Sequence, residues 1–356
     1  MKVAVIGGGI NGVMAAWALA EAGCETHLFE RGELMSETSA ASSKMLHGGI
    51  RYLEQGHFGL VREALAERAW WLEKAPHLTR KIPLLIPIYR HGPRNRFVIG
   101  AGVMLYDLLA RGSGFPAGRW QSRADTLSRL PYLNPEGLVG AWEYWDGLMD
   151  DRALGLWAAG QARAAGVRIH THAPVQRLAA SGDVLINGHS TSFDRVINAA
   201  GPWTGALLRA SHIESDHTLD LVRGSHLVIA RSVPCGVALQ DAGSRRVVFL
   251  LPQGERALFG TTEVLQTTPA PAVPSAEEVQ FLLDAYHRAF DDVLVEDDIV
   301  GRFAGLRPVV RAGADFSAAS RESVIEVRGR VVTVFGGKWT TARALAERIV
   351  EVVRQR

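Results

Sequence analysis

Residues 42–56 read SSKMLHGGIRYLEQG. Within this stretch Lys44, His47 and Arg51 crowd around two adjacent glycines, Gly48 and Gly49, directly after Ser42 and Ser43. A solvated helical face would have no use for two adjacent glycines, which weaken a helix. Cations and hydroxyls on so flexible a backbone are suited to binding an anion. The glycines would let main chain pass close to a flat ring and leave Arg51 aimed at whatever sits on it.

A second chemical group opens the chain. Gly7, Gly9 and Gly12 fit G-x-G-x-x-G, with Asn11 inside the motif, directly after the apolar run KVAVI. The spacing gives a tight turn, backbone N–H groups available to a pyrophosphate, and close packing of a helix on a sheet. Glu30 follows Gly12 by eighteen residues, at the end of ETHLFE, where a carboxylate accepts hydrogen bonds from an adenosine ribose. A dinucleotide site is expected, with an unliganded glycine turn as the plain alternative.

A third group lies at the far end, in VFGGKWTTARALAE, residues 334–347. A strand again runs into paired glycines, Gly336 and Gly337, and a helix begins at Thr340 and Thr341, both good N-cap types. Its positive dipole end and free N–H groups suit a cofactor with electron-rich carbonyls, such as the isoalloxazine of FAD. On its own the glycine pair could merely end a hairpin strand. A nicotinamide enzyme would need only the front unit, which makes NAD the less favoured cofactor. In VINAAGPWTG the small residues Ala199, Ala200 and Gly201 also allow close approach to a ligand.

The elements that must position these groups follow from periodicity. Residues 2–6 read as a strand buried on both faces, roughly 11–22 as a helix ended by Gly23, and 25–30 as a second strand. Residues 58–74 carry a wide apolar helical face. From 81 to about 146 six prolines and isolated aromatics suggest short strands and irregular connections. Within that region FVIGAGVMLYDLLA, 97–110, is read as a core helix rather than a surface anchor. A helix from about 151 leads into strands near 167–172, 183–188 and 193–201, and residues 224–262 alternate in strand fashion. Ser275 and Glu278 form a capping box for a helix at 276–290, and the end of the chain reads as hairpin, Gly-Gly and helix. This is an α/β fold, with a central parallel sheet built from non-contiguous segments and an interleaved antiparallel-sheet cap domain. The expected boundaries are 1–78, 147–222 and 301–356 for the cofactor domain, and 79–146 and 223–300 for the cap.

Composition narrows the class. The 356 residues are 47% hydrophobic and 21% charged with a net charge of +2, so no strong field argues for nucleic acid. Cys24 and Cys235 stand far apart, which disfavours disulfides and zinc; no metal is expected. The glycines at 7–12 break the apolar N-terminus, so it reads as strand, turn and helix rather than a targeting or membrane segment.

SSKMLHGGIRYLE resembles the signature of the FAD-dependent glycerol-3-phosphate dehydrogenases, within the D-amino-acid-oxidase-like flavoproteins. The similarity continues through GSHLVI (224–229), FGTTE (259–263), GLRPV (305–309) and FGGKWTTARALAE. The resemblance implies a Rossmann-like FAD-binding domain and a substrate-binding cap. It implies that Arg51, Arg307 and Lys338 bind a substrate phosphate or lie over the flavin, and that Tyr52, Thr261 or Thr262, and His226 line the same pocket. The cofactor set expected on this basis is Gly7, Gly9, Asn11, Gly12, Glu30, Ser42, Ser43, Lys44, His47, Gly48, Gly49, Val175, Ala200, Gly201, Trp203, Gly305, Gly337, Lys338, Trp339 and Thr340. The chain departs from the family pattern at Arg223, Glu263, Trp339 and Ala342, and a short form lacking the extra C-terminal helical domain of the long members is expected.

Chemistry agrees with such a pocket. A phosphate dianion in a partly closed site needs two or more cations. Oxidising a secondary alcohol requires a base for the hydroxyl proton, with His226 the first candidate and His47 the second. An arginine such as Arg307 above the ring could hold the developing oxyanion. The expected reaction is oxidation of sn-glycerol 3-phosphate to dihydroxyacetone phosphate, with electrons passed to a quinone or another acceptor. An oxidase or dehydrogenase of an amino acid, a 2-hydroxy acid or a related phosphorylated alcohol is the alternative, and a catalytically silent flavin module is a third. The expected location is cytoplasmic, with peripheral contact at the inner face of the cytoplasmic membrane as the alternative, and the oligomeric state is left open.

Overall fold

The apolar run that opens the chain forms the strand Lys2–Ile6, which pairs in parallel with Glu25–Phe29 on one side and Arg195–Asn198 on the other. Partners on both edges and layers on both faces explain why its residues are almost uniformly apolar. The computed structural model describes residues 1–241, 246–311 and 323–355. In it six strands run in the order Val324–Arg328, Val331–Phe335, Arg195–Asn198, Lys2–Ile6, Glu25–Phe29, Arg168–His170. The first of these is an antiparallel edge and the others are parallel. Both ends of the chain and its middle therefore build one sheet. Helices Ile10–Glu21, Asp151–Ala164 and Ala342–Arg354 share a core with it, in which Leu19, Leu154 and Ile349 are fully buried.

A larger sheet of ten strands lies beside the first. Its longest pairings join Thr79–Tyr89 to Leu138–Met149, and Leu219–Ile229 to Ile299–Val310. It is antiparallel except where Gly236–Gln240 meets Thr79–Tyr89 in parallel. A three-stranded antiparallel sheet, Val175–Leu178, Asp183–Ile186 and His189–Ser192, completes the set.

Several expectations need correction. The stretch 81–146 is not a run of short strands. It contains two strands of eleven and twelve residues and the helix Arg96–Leu109, which Asn95 caps by accepting from the Phe97 and Val98 N–H groups. Pro83 and Pro87 read as breakers. Four residues apart, they remove N–H groups from the same side of one strand and leave the other side free to pair. The helix 96–109 is not wholly core: it buries Gly100, Val103 and Tyr106 but leaves Phe97 71% and Met104 63% exposed. Residues 301–310, expected with the cofactor unit, pair instead with Leu219–Ile229 in the larger sheet. Thr341 occupies the N-cap of the last helix without making a side-chain cap bond. Within the alternating stretch 224–262 one strand is Val247–Gln253; Arg245 and Arg356 lie outside the described residues. The helices at 58–74 and 276–289 and the Ser275–Glu278 capping box form as the sequence spacing predicts.

Candidate active site

A cavity of about 580 Å³ opens along the ends of the parallel strands and reaches under the larger sheet. One wall is the first glycine turn. Gly7 has φ +113°, and a Cβ there would strike the Ala199 carbonyl, so strand Arg195–Asn198 and this turn close on each other only around a glycine. Gly9, Asn11, Ala200, Gly201 and Trp203 continue the wall. The Glu30 carboxylate, expected to accept from an adenosine ribose, accepts here from the Gly8 and Gly32 N–H groups at 2.6 and 2.9 Å and so fixes the glycine loop. Arg31, the next residue, stacks its guanidinium on the Trp203 ring at 3.8 Å. Val175 lies at the same end.

The C-terminal glycine turn forms the facing wall. Asn11 Nδ2 donates to the Gly336 carbonyl at 3.5 Å, and a Cβ at Gly337 would run into the same amide. The Thr340 hydroxyl accepts from the His47 N–H at 3.4 Å, and Trp339 Nε1 donates to the Ser39 carbonyl at 2.9 Å. The first glycine turn, the segment around residues 39–49 and the last helix thus meet at one place. Gly48, Gly49, Ser42, Ser43, Gly305, Gly337 and Lys338 all line the cavity there.

Beyond the glycines the wall turns cationic. Arg51, Arg246, Arg307 and Lys338 line it, together with Tyr52, Thr261, His47 and Glu263. Lys338 Nζ sits 4.2 Å from the Tyr52 ring centroid, and Arg307 Nη2 donates to Thr261 Oγ1 at 2.8 Å. Glu263 stands between two guanidiniums, 3.8 Å from Arg307 and 3.7 Å from Arg246.

Four residues placed in the site by sequence do not reach the wall. His226 is 1% exposed, stacked on Phe303, with Nε2 at 2.9 Å from Ser43 Oγ. Its Nδ1 has no partner among the described residues. Burial, reinforced by the Arg307 and Lys44 charges, pushes its pKa down to about 3. Lys44 is drawn away by Asp151, a fully buried carboxylate that needs a cation: Nζ to Oδ1 is 2.5 Å. Thr262 donates to Glu278 at 2.6 Å and accepts from the Ser225 N–H at 2.9 Å. Gly12 faces the Gly7 carbonyl and serves helix–strand packing. Sequence reasoning overlooked Arg31 and Arg246. Arg31 carried a faint signal, its place directly after Glu30, whereas Arg246 belongs to no motif.

The wall suits an elongated cofactor. A helix N-terminus approaches from each end of the chain, and the buried Asn11 Oδ1 has no partner among the described residues. A match to the family of FAD-dependent oxidoreductases spans residues 2–352. The chain belongs to the FAD-dependent oxidoreductase family.

Members of this family resemble the chain along its full length. A glycerol-3-phosphate dehydrogenase of Pseudomonas tolaasii is 36% identical over 97% of this chain and 70% of its own length. An aerobic glycerol-3-phosphate dehydrogenase of Staphylococcus aureus is 31% identical over 99% of this chain and 66% of its own length. The crystal structure of the glycerol-3-phosphate dehydrogenase from Bacillus halodurans, complexed with FAD, aligns with a TM-score of 0.80 and 26% identity, covering all of this chain and 64% of that one. The L-alpha-glycerophosphate oxidase of Mycoplasma pneumoniae, with FAD bound, shares the fold at a TM-score of 0.76 and 19% identity. The chain thus spans about two thirds of the length of these dehydrogenases. FAD is the cofactor of the family, in agreement with the sequence reading. Among the described residues no helix is long and apolar enough to cross a membrane.

Proposed function

We propose that this flavoprotein oxidises sn-glycerol 3-phosphate at its secondary alcohol to dihydroxyacetone phosphate, passing electrons to a quinone or another acceptor. One observation carries the reading: the cavity between the two glycine turns ends in Arg51, Arg307 and Lys338. A phosphate dianion needs two or more such cations, more than the single carboxylate of an amino acid or 2-hydroxy acid requires. The dehydrogenases from Pseudomonas tolaasii and Staphylococcus aureus support the same substrate.

Bound FAD supplies a two-electron hydride acceptor. Gly7, Gly9, Asn11, Glu30 and Trp203 hold its nucleotide end, and Gly48, Gly49, Gly337 and Thr340 its other end. Arg51 and Lys338 bind the phosphate, while Arg307, braced by Thr261, holds the hydroxyl oxygen as its proton leaves. His47 accepts that proton. It is exposed on the cavity wall, whereas His226 is sealed behind Ser43. The division into cofactor domain and cap is kept as drawn from sequence, except that residues 45–46, 147–149, 219–222 and 301–310 join the cap sheet.

An apolar acceptor is supported by a second cavity of about 270 Å³ that shares Arg51, Tyr144 and Phe249 with the first. The exposed stripe Phe97, Met104 and Leu108 beside it supports peripheral membrane contact. Anaerobic titration tests the reading: the flavin bleaches with glycerol 3-phosphate, and Arg51→Ala and Arg307→Ala each lower kcat/KM about 10- to 100-fold, the size of one charged hydrogen bond lost. A flavin that stays oxidised with glycerol 3-phosphate yet bleaches with an amino acid or 2-hydroxy acid refutes it.

A further inference from the structure

Beneath the Gly48–Gly49 turn lie three polar side chains that the chemistry above does not use. Arg68, Tyr106 and Asp146 are 0%, 1% and 1% exposed, and they form a chain. Arg68 Nη1 donates to Asp146 Oδ1 at 2.6 Å and to the Trp145 carbonyl at 2.9 Å. The Tyr106 hydroxyl donates to the same Asp146 oxygen at 2.8 Å, and the Gly48 N–H donates to the Tyr106 oxygen at 2.7 Å. A tyrosine hydroxyl carries one proton. With that proton committed to Asp146, its lone pairs are left for Gly48.

Four features make this more than an ordinary core contact. A buried ion pair gains little stability over apolar side chains of the same volume, so what it contributes is direction. Burial raises the Asp146 pKa and the Arg68 guanidinium opposes the rise, so the pair must stay together. A Cβ at Gly48 would strike Leu65 and the Tyr106 hydroxyl, so the close bond depends on the glycine. The three residues also come from three elements: helix Phe58–Lys74, helix Arg96–Leu109 and strand Leu138–Met149. The turn is thereby referenced to all of them at once.

We propose that Arg68, Asp146 and Tyr106 are positioning residues that set the Gly48–Gly49 turn, and through it the Arg51 and Tyr52 side chains at the cavity. The role given to Arg51 rests on the phosphate reading above; the ordering of the turn does not. Tyr106→Phe in the FAD-loaded enzyme keeps the ring against Tyr144 and removes only the hydroxyl. Two measurements read the result. Amide hydrogen exchange across residues 47–53 rises, with FAD content unchanged. The Kd for glycerol 3-phosphate, read from the flavin absorbance, weakens about five- to tenfold, as for one neutral hydrogen bond lost, while the rate of flavin reduction at saturation stays within about twofold. Unchanged exchange at 47–53 overturns the proposal whatever the substrate. Raised exchange with unchanged Kd, where Arg51→Ala abolishes binding, overturns the link to Arg51. A wild type that ignores glycerol 3-phosphate while Tyr106→Phe still raises exchange sinks the substrate reading and leaves the positioning role standing.

Discussion

A neutral imidazole sealed between Phe303 and the Ser43 hydroxyl has a consequence in acid. The unfolded chain holds His226 at the ordinary value of 6.5, and the fold holds it at about 3. Between those values the unfolded chain binds the extra proton, so stability is fully present above about pH 6.5 and is lost progressively as pH falls toward 3. Arg307 and Lys44 enlarge the effect because each repels the imidazolium. In His226→Gln, the slope of unfolding free energy against pH between 4 and 6 becomes shallower by up to about 1.4 kcal/mol per pH unit, one proton's worth. Denaturant titrations at several pH values measure it; an unchanged slope would mean that the imidazole reaches solvent. The same burial explains what sequence alone misjudged. An ordinary histidine pKa recommended His226 as a base, but accessibility is a property of the packed strands around it. Lys44 misled in the same way: its charge was visible, but its buried partner Asp151, more than a hundred residues away, was not.

At the scale of elements, the glycine turns were legible because each encodes a backbone need that few other residues meet. Gly337 has φ +103° and lies against the Asn11 amide, the contact that brings the last helix to the first. Gly337→Ala meets two penalties, left-handed strain and a clash. Gly166 has φ +96°, and a Cβ there would find nothing within 4 Å, so Gly166→Ala meets the strain alone. Strain of this kind costs about 1–3 kcal/mol. Gly337→Ala should therefore lose more thermal stability than Gly166→Ala, and also release FAD, which the second variant retains; equal behaviour of the two would mean that the turn tolerates displacement. Strands were less legible than turns. Thr79–Tyr89 was hidden by its prolines, and Gly236–Gln240 is short and takes one of its two partners, Thr79–Tyr89, from a distant part of the chain.

At the scale of the molecule, the meeting of both chain ends in one sheet could be read from two strand–glycine–helix signatures, whereas the outer surface could not. The fourteen residues of helix Arg96–Leu109 are apolar enough to suggest core, yet only the side bearing Gly100, Val103 and Tyr106 is covered. Phe97, Ala101, Met104 and Leu108 fall on one exposed stripe at helical spacing, and the exposed Arg90 and Arg96 precede it with Arg111 after it. An apolar stripe edged by guanidiniums suits an anionic lipid surface, with the side chains entering the interface and the cations held at the headgroups. Each exposed large side chain removed from such a contact forfeits about 1.5–3 kcal/mol. Replacing Phe97, Met104 and Leu108 together by serine should reduce cosedimentation with phosphatidylglycerol vesicles by more than about tenfold, and raised salt should weaken the wild type as well. Flavin reduction by glycerol 3-phosphate in free solution should be unaffected, since none of the three lines the main cavity. Equal sedimentation of wild type and triple variant would remove the lipid contact; a wild type that instead dimerises with rising concentration, while the variant stays monomeric, would assign the stripe to a second copy of the chain.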